Sequence, residues 1–410
     1  MLRIGDTTCE YVPFIASTNE TTQDNTTLTK TEGISDRIWN ATVGSSIRMW
    51  SFTQAAVGGK IRDIFFFPLN NLNNPAHLAQ LAIEKKYAAN FWKSDAPLDL
   101  NFPFQGRIRK EFEFRNETVQ LTLPGKELFL TYRVIESRSK SHSQSQYYNF
   151  VLVPGNVSTI DGNVVGIYPF LASYLDLKRE DEDLLPGRFI IITQYDVECA
   201  TQNLSRRKFQ PETLEEAGVI LKKTLEHLKQ KFGAIDHLFA HSMGTILFAA
   251  ASKQIGQESD PIFPKHLSLH CAPSSISETS KNYWGGSMLL ALAKFSGWSF
   301  DIEKEIADLC QKYREDKQFS ILVSGVKQDY YFPNQANLCL SKTVTDLNKK
   351  GVIDLLVFDL PQQVVHERAH HGLRIDWLHS NYLTGSSNFT FIEDGEQFAK
   401  ALIRRSLPDL

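Results

Sequence analysis

Hydrophobic and polar positions follow two different rules along this chain, and the change falls near residue 148. Before it, Arg107 to Glu136 alternates apolar with polar positions in three pieces: Ile108 to Phe114, Val119 to Leu123 and Leu128 to Ile135. A period of two predicts strands with one face in the core, and the Pro124-Gly125 pair predicts a turn, so an antiparallel meander is expected. After it, apolar runs without alternation occupy Tyr148 to Val153, Arg188 to Thr193, Ile235 to His241, His266 to Cys271, Phe319 to Ser324 and Val352 to Phe358. Such runs mark strands buried on both faces. Helical patterns lie between them near Val164 to Leu177, Pro211 to Phe232, Gly244 to Gln254 and Asn334 to Lys349. The rhythm predicts an α/β fold with a mostly parallel central sheet, antiparallel amino-terminal strands and helices on both faces, closed by an amphipathic helix near Gly395 to Ser406.

Other segments break the pattern. Ser17 to Gly33 is dominated by Thr, Asn, Gln and Glu, which bury too little surface to offset the entropy of ordering, so residues 1–33 are expected to be flexible. Residues 34–106, with a strand expected over Ile61 to Phe67 and a helix over Ala76 to Trp92, read as an extension packed on a main domain of residues 107–410. Within that domain, residues 274–317 interrupt the sheet rhythm with Tyr283-Trp284-Gly285-Gly286, an apolar run from Met288 to Phe300 and a helical run from Ile302 to Tyr313. An insertion at this point is expected over the carboxyl ends of the strands as a helical cap or lid. Its apolar residues read either as cap core or as a surface in transient contact with a membrane.

Composition narrows the partners. With 42% hydrophobic and 22% charged residues the chain can build a sizeable core, and a formal charge of −3 gives no electrostatic reason to expect nucleic acid. The five cysteines, Cys9, Cys199, Cys271, Cys310 and Cys339, are scattered and contain no Cys-x-x-Cys pair, which favours a reducing environment over a disulfide framework. Asn-x-Ser/Thr sequons occur, at Asn19, Asn116 and Asn156 among others, but the first fifteen residues lack the regions of a signal peptide and the sequons read as compositional. No apolar run is long enough to span a bilayer. The expected location is cytoplasmic, or exported without a cleaved signal peptide. No cofactor or metal is expected.

The chemistry centres on Ile235 to Ala251, where an apolar strand ends at His241 and a helix-forming run follows Ser242-Met243-Gly244. A nucleophilic serine on a strand-to-helix turn occupies strained backbone, so the residues two before and two after it must be small, and Ala240 and Gly244 are. The same turn aims the first N–H groups of the helix at the serine, so the Met243 N–H is a candidate oxyanion donor.

Serine chemistry also needs a base, a carboxylate to orient it and a second donor. The strand Val151 to Val153 breaks into Pro154-Gly155, exposing the backbone N–H groups of Asn156 and Val157; Asn156 is the donor chosen. Asp329 lies just past the strand Ile321 to Ser324 and is the candidate acid, with Glu278 as the fallback. After the last strand come His366, His370 and His371, of which one is the candidate base. With Glu367, these three histidines also have spacings that converge on a metal when helical, a competing reading of the cluster.

From about Arg107 to the end the chain resembles the α/β-hydrolase superfamily. Ala-His-Ser-Met-Gly at 240–244 is similar to the Gly-His-Ser-Met-Gly of many lipases and esterases, and Gly325 to Pro333 resembles the acid loop. His370-His371-Gly372-Leu373 is similar to the histidine loop of lipase-like members, which favours His370 as base with His371 as the alternative. Pro154-Gly155-Asn156 stands where the family has its oxyanion loop, without the usual histidine there. There is a weaker likeness to lipase-like proteins exported by intracellular bacteria. The resemblance implies a serine hydrolase of the lipase or esterase type, acting through an acyl-enzyme on a carboxylic ester of a lipid or another hydrophobic acyl compound. An acyltransferase with the same triad, or a hydrolase-fold protein that binds without turnover, are the alternatives.

Overall fold

The computed structural model describes Thr53 and residues 75–98, 102–138, 147–155, 159–161, 163–200, 206–255, 263–282, 285–313, 319–327, 329, 332, 334–358 and 390–407. The chain divides into units of residues 1–57 and 58–410, and the described residues other than Thr53 belong to the second. The expected strand at 61–67 and the expected flexible segment at 1–33 lie outside the described residues.

Ten described strands form one sheet: β1 Phe112–Leu123, β2 Lys126–Ser137, β3 Tyr148–Val153, β4 Gly187–Ile191, β5 Val197–Ala200, β6 Arg206–Lys208, β7 His237–His241, β8 His266–His270, β9 Ser320–Val326 and β10 Asp354–Phe358. Their order is β10-β9-β8-β7-β3-β4-β2-β5-β6, with β1 paired to β2. The six strands from β10 to β4 are mutually parallel, and β2 joins them antiparallel. This is the mixed sheet that the change of hydrophobic period implies: β3, β4 and β7 are buried along their whole length, whereas β1 alternates.

Around the sheet lie ten described α-helices: α1 Pro75–Trp92, α2 Gln105–Glu111, α3 Val164–Glu180, α4 Leu214–Phe232, α5 Met243–Ile255, α6 Ile276–Ser280, α7 Gly286–Phe295, α8 Ile302–Lys312, α9 Lys342–Lys349 and α10 Thr390–Ser406. On β7 the side chains alternate between faces. Phe239 packs on Phe170 of α3 and Phe398 of α10, so His237 and His241 share that face while Leu238 and Ala240 point to the other. The α3–α10 pair is tied by Lys400 to Asp176 and Glu180. Across the sheet α4 and α5 pack so closely that a Cβ on Gly218 would lie 2.7 Å from the Ala250 carbonyl carbon. Thr213 caps α4 by accepting the Glu216 N–H.

Two expectations change. The piece from Ile108 to Glu111 is helical, and β1 runs unbroken from Phe112, so the three-piece meander is a helix followed by a two-stranded hairpin. Gln105 and Ile108 are the buried residues of α2, a spacing of three that suits a helical turn and that alternation alone obscures. The hairpin closes on Pro124-Gly125, with Gly125 at φ +70° as the second turn residue. In the 274–317 stretch, α8 returns to pack on α5 and α9, and Lys253 pairs with Glu305 at 3.0 Å. That portion therefore continues the strand-helix alternation as the crossover from β8 to β9.

The amino-terminal helix α1 joins the aromatic core: Phe91 meets Phe102 and Tyr168 edge to face, in the same cluster as Phe150, Phe170 and Phe189. Among the described residues, no helix is long and apolar enough to cross a membrane.

Candidate active site

Ser242 stands between β7 and α5 at φ +49°, in the left-handed region that costs a non-glycine residue about 1 kcal/mol or more. The surroundings fix that conformation. Its N–H donates to the His270 carbonyl of β8 at 2.9 Å, and its carbonyl accepts from the Thr245 N–H at 3.0 Å and from the Thr245 hydroxyl. Gly244 is required by contact rather than by φ: a Cβ there would lie 2.1 Å from the Val153 carbonyl oxygen and 2.8 Å from that of Pro154. Ala240 is fully buried. The small residues on either side of the serine thus let the turn press against the carboxyl end of β3.

Met243 opens α5, so its N–H belongs to the first turn of donors that a helix leaves without an intrahelical partner. Opposite it, the loop leaving β3 approaches through Gly155, where a Cβ would lie 3.1 Å from the Ser242 Cβ and 3.2 Å from the His241 Nδ1. Asn156, the expected second donor, lies outside the described residues.

Asp329 is buried beyond the end of β9. The strand register pairs His241 with His270 and His270 with Ser324, so Ser242 and the Asp329 loop leave the same edge of the sheet two strands apart, about 10 Å. The Asp329 Oδ1 accepts from the Phe332 N–H at 3.0 Å, a turn that holds the carboxylate in place. Beneath it Asn337 donates to the Val326 carbonyl at 2.8 Å, and burial together with the Asp329 charge pushes the Cys339 thiol up to about 12. Cys339 is therefore a buried structural thiol.

The fallback acid, Glu278, occupies the first turn of α6 with its N–H bonded to the Ser275 side chain, and it pairs with Lys281. That is the position of a helix-capping residue. His366, His370 and His371, and Glu367 with them, lie outside the described residues, so neither the base nor the metal reading of that cluster meets a described side chain.

Sequence reasoning passed over His270 and Cys271. His270 ends β8 beside His241, the two rings stacked at 5.6 Å, and Cys271 follows at φ +47°. The only sequence signal was a histidine-cysteine pair at the end of the run 266–271, which acquires meaning once β8 is known to pair with β7.

No family model matches the chain, and no curated protein does. Among solved structures it is similar to esterase B from Lactobacillus rhamnosis, at 13% identity over 85% of this chain and 98% of that one, TM-score 0.43. It is similar also to a ferulic acid esterase, at 13% identity over 70% of this chain and 99% of that one, TM-score 0.40. A third is a peroxisomal alpha-beta-hydrolase from Saccharomyces cerevisiae, at 14% identity over 73% and 93%, TM-score 0.39. Esterases and an α/β-hydrolase thus stand among the solved structures to which this mixed α/β chain is similar.

Proposed function

We propose that the chain is a serine hydrolase that cleaves a carboxylic ester of a lipid or another hydrophobic acyl compound through an acyl-enzyme. The observation that carries this reading is the Ser242 turn, a buried serine in left-handed backbone between a parallel strand and a helix, with Gly244 packed on a neighbouring strand end. A serine needed only for packing has no use for that strain.

In this reading the Ser242 hydroxyl attacks the ester carbonyl while His370, or alternatively His371, takes its proton. Asp329 orients the imidazole, and the N–H groups of Met243 and Asn156 receive the developing oxyanion. The imidazolium protonates the departing alcohol, and water, deprotonated by the same histidine, releases the acid. The hydrophobic acyl group is supported by α7, Gly286–Phe295, in which Ala293 is the buried residue and Met288 is 68% exposed. An apolar helix left so open after the end of β8 suits a greasy substrate better than a peptide.

A fluorophosphonate probe tests the reading. Labelling of the folded chain that disappears in Ser242→Ala is expected; absence of labelling on folded protein overturns it. Turnover of p-nitrophenyl esters of rising chain length then tests the acyl preference, and a rate that falls with chain length removes the hydrophobic assignment.

A further inference from the structure

Beside the serine turn lies a second set of reactive side chains that the hydrolytic scheme leaves unused. His241 ends β7 and His270 ends β8, as register partners in parallel strands, and Cys271 follows His270. One ligating atom from each of the three lies within 4.8 Å of the other two, and all three residues are at most 3% exposed. The Cys271 Sγ is 3.4 Å from the His270 Nε2. In a tetrahedral zinc site with Zn–N near 2.05 Å and Zn–S near 2.3 Å, the N···S edge is about 3.6 Å. The pair is already spaced as two ligands of one ion.

The supporting shell has the same character. The other ring nitrogen of His270, Nδ1, is 2.9 Å from the Ser324 Oγ, which fixes the ring and leaves Nε2 toward the sulfur. Phe239 stacks on the His270 ring at 5.7 Å and Phe398 approaches it at 5.4 Å, so the ligand is walled by apolar rings. The Cys271 backbone is held left-handed, its N–H donating to the Ser324 carbonyl at 2.8 Å. Two imidazoles and a thiol, without a carboxylate, select a borderline-soft ion over magnesium or calcium.

We propose that His241, His270 and Cys271 form a binding site for Zn2+ at the carboxyl edge of the sheet, with three protein ligands and a fourth position for water. Binding breaks the S–H bond of Cys271, forms a metal–sulfur bond and releases one proton to solvent; no electron is transferred, and affinity rises with pH. Ser242 follows His241 and donates its N–H to the His270 carbonyl, so the ion ties together the two strand ends that hold the serine. None of the three ligands belongs to the proposed triad, and the site stands whether or not Ser242 is a nucleophile.

Cobalt titration of the reduced full-length chain, with the metal alone as probe, decides the matter. One equivalent of Co2+ is expected to give a thiolate-to-metal charge-transfer band with the visible bands of a tetrahedral ion, both displaced by Zn2+. Cys271→Ser should abolish the charge-transfer band while Cys310→Ala and Cys339→Ala keep it. Ser324→Ala should keep the band and weaken binding about 10- to 100-fold, as loss of a ligand's supporting hydrogen bond does. A folded wild-type chain with no thiolate band at saturating Co2+ overturns the proposal, and so does a band that survives in Cys271→Ser. Should Cys271→Ser fail to fold, His241→Gln carries the same decision: binding at least tenfold weaker supports the site, and unchanged binding sinks it.

Discussion

His237 and His241 are four residues apart on the same face of one strand, and both are buried, yet their surroundings differ in kind. At the amino end, the His237 Nε2 is 2.8 Å from the Ser268 Oγ and its Nδ1 is 3.0 Å from the Ser406 Oγ, which in turn meets the Tyr148 hydroxyl at 2.5 Å. Every partner there is a hydroxyl on a neighbouring strand or on α10, and the network pins the last helix to the sheet. At the carboxyl end, His241 stacks on His270 beside a thiol, and two residues in adjacent turns, Ser242 and Cys271, hold left-handed backbone. One strand thus spends its two ends differently: polar burial at one is paired with hydroxyls, and at the other it lies beside a serine and a cysteine in left-handed backbone. The difference teaches that burial of a histidine here has no single meaning; the backbone at the strand end separates the two cases.

That contrast makes the carboxyl end the place where substitution should remove activity without unfolding the chain. Ser242→Ala should lower ester turnover by about 10^5-fold or more, while the unfolding free energy moves by under about 1 kcal/mol. Asp329→Asn should lower it by about 10^4-fold, since the amide keeps the buried shape and loses the charge that orients an imidazole. Glu278→Gln should leave turnover within about twofold. If Glu278→Gln were the damaging change and Asp329→Asn the silent one, the acid would belong to α6 instead. Gly244→Ala is expected to injure both properties, because its Cβ must displace the Val153 carbonyl that it would meet at 2.1 Å. A cost of about 1–3 kcal/mol on chemical denaturation, with turnover down in the same variant, is the outcome that overpacking predicts.

The two ends were unequally legible in the sequence. The turn around Ser242 was readable because its requirements are local: an apolar strand, small residues at 240 and 244, and a helix-forming run, all within seventeen residues of chain. The inner parallel strands were readable for a similar reason, since burial on both faces leaves an unbroken apolar run, and β7 falls inside the expected 235–241; β10, expected to be buried on both faces, is instead largely exposed at the sheet edge. What escaped depends on register or on backbone alone. His270 and Cys271 join His241 only because β8 pairs with β7 in one particular alignment. β6 is Arg206-Arg207-Lys208, which pairs with β5 through its backbone and offers no hydrophobic period to detect. The helix α2 escaped because Ile108, its one large apolar residue, falls in phase with Phe112 and Phe114 of the strand that follows. The histidines at 366, 370 and 371 fall outside the described residues, so the base rests on the sequence resemblance.

The effect expected at the amino end falls on stability and not on turnover, and it tests whether the two ends are independent. Burial drives His237 down to about 3, with the nearby His266 and Arg405 charges acting in the same direction. Because the folded pKa lies below the ordinary value near 6.5, the unfolded chain binds a proton more readily between those two values. Stability should therefore be independent of this group above about pH 6.5 and fall as the pH drops from there toward about 3, by about 1.4 kcal/mol per unit. His237→Gln keeps a polar group among Tyr148, Ser268 and Ser406 but removes the titration, so denaturation midpoints across that range should lose one proton's worth of slope. At neutral pH the variant should lose about 1–3 kcal/mol from its imperfect hydrogen bonds and keep its turnover, because the Ser242 backbone bonds to His270 and Thr245, which lie outside the hydrogen-bond network of His237. Turnover that collapsed in a variant still folded would mean that strain at the carboxyl end is supported through the strand from below.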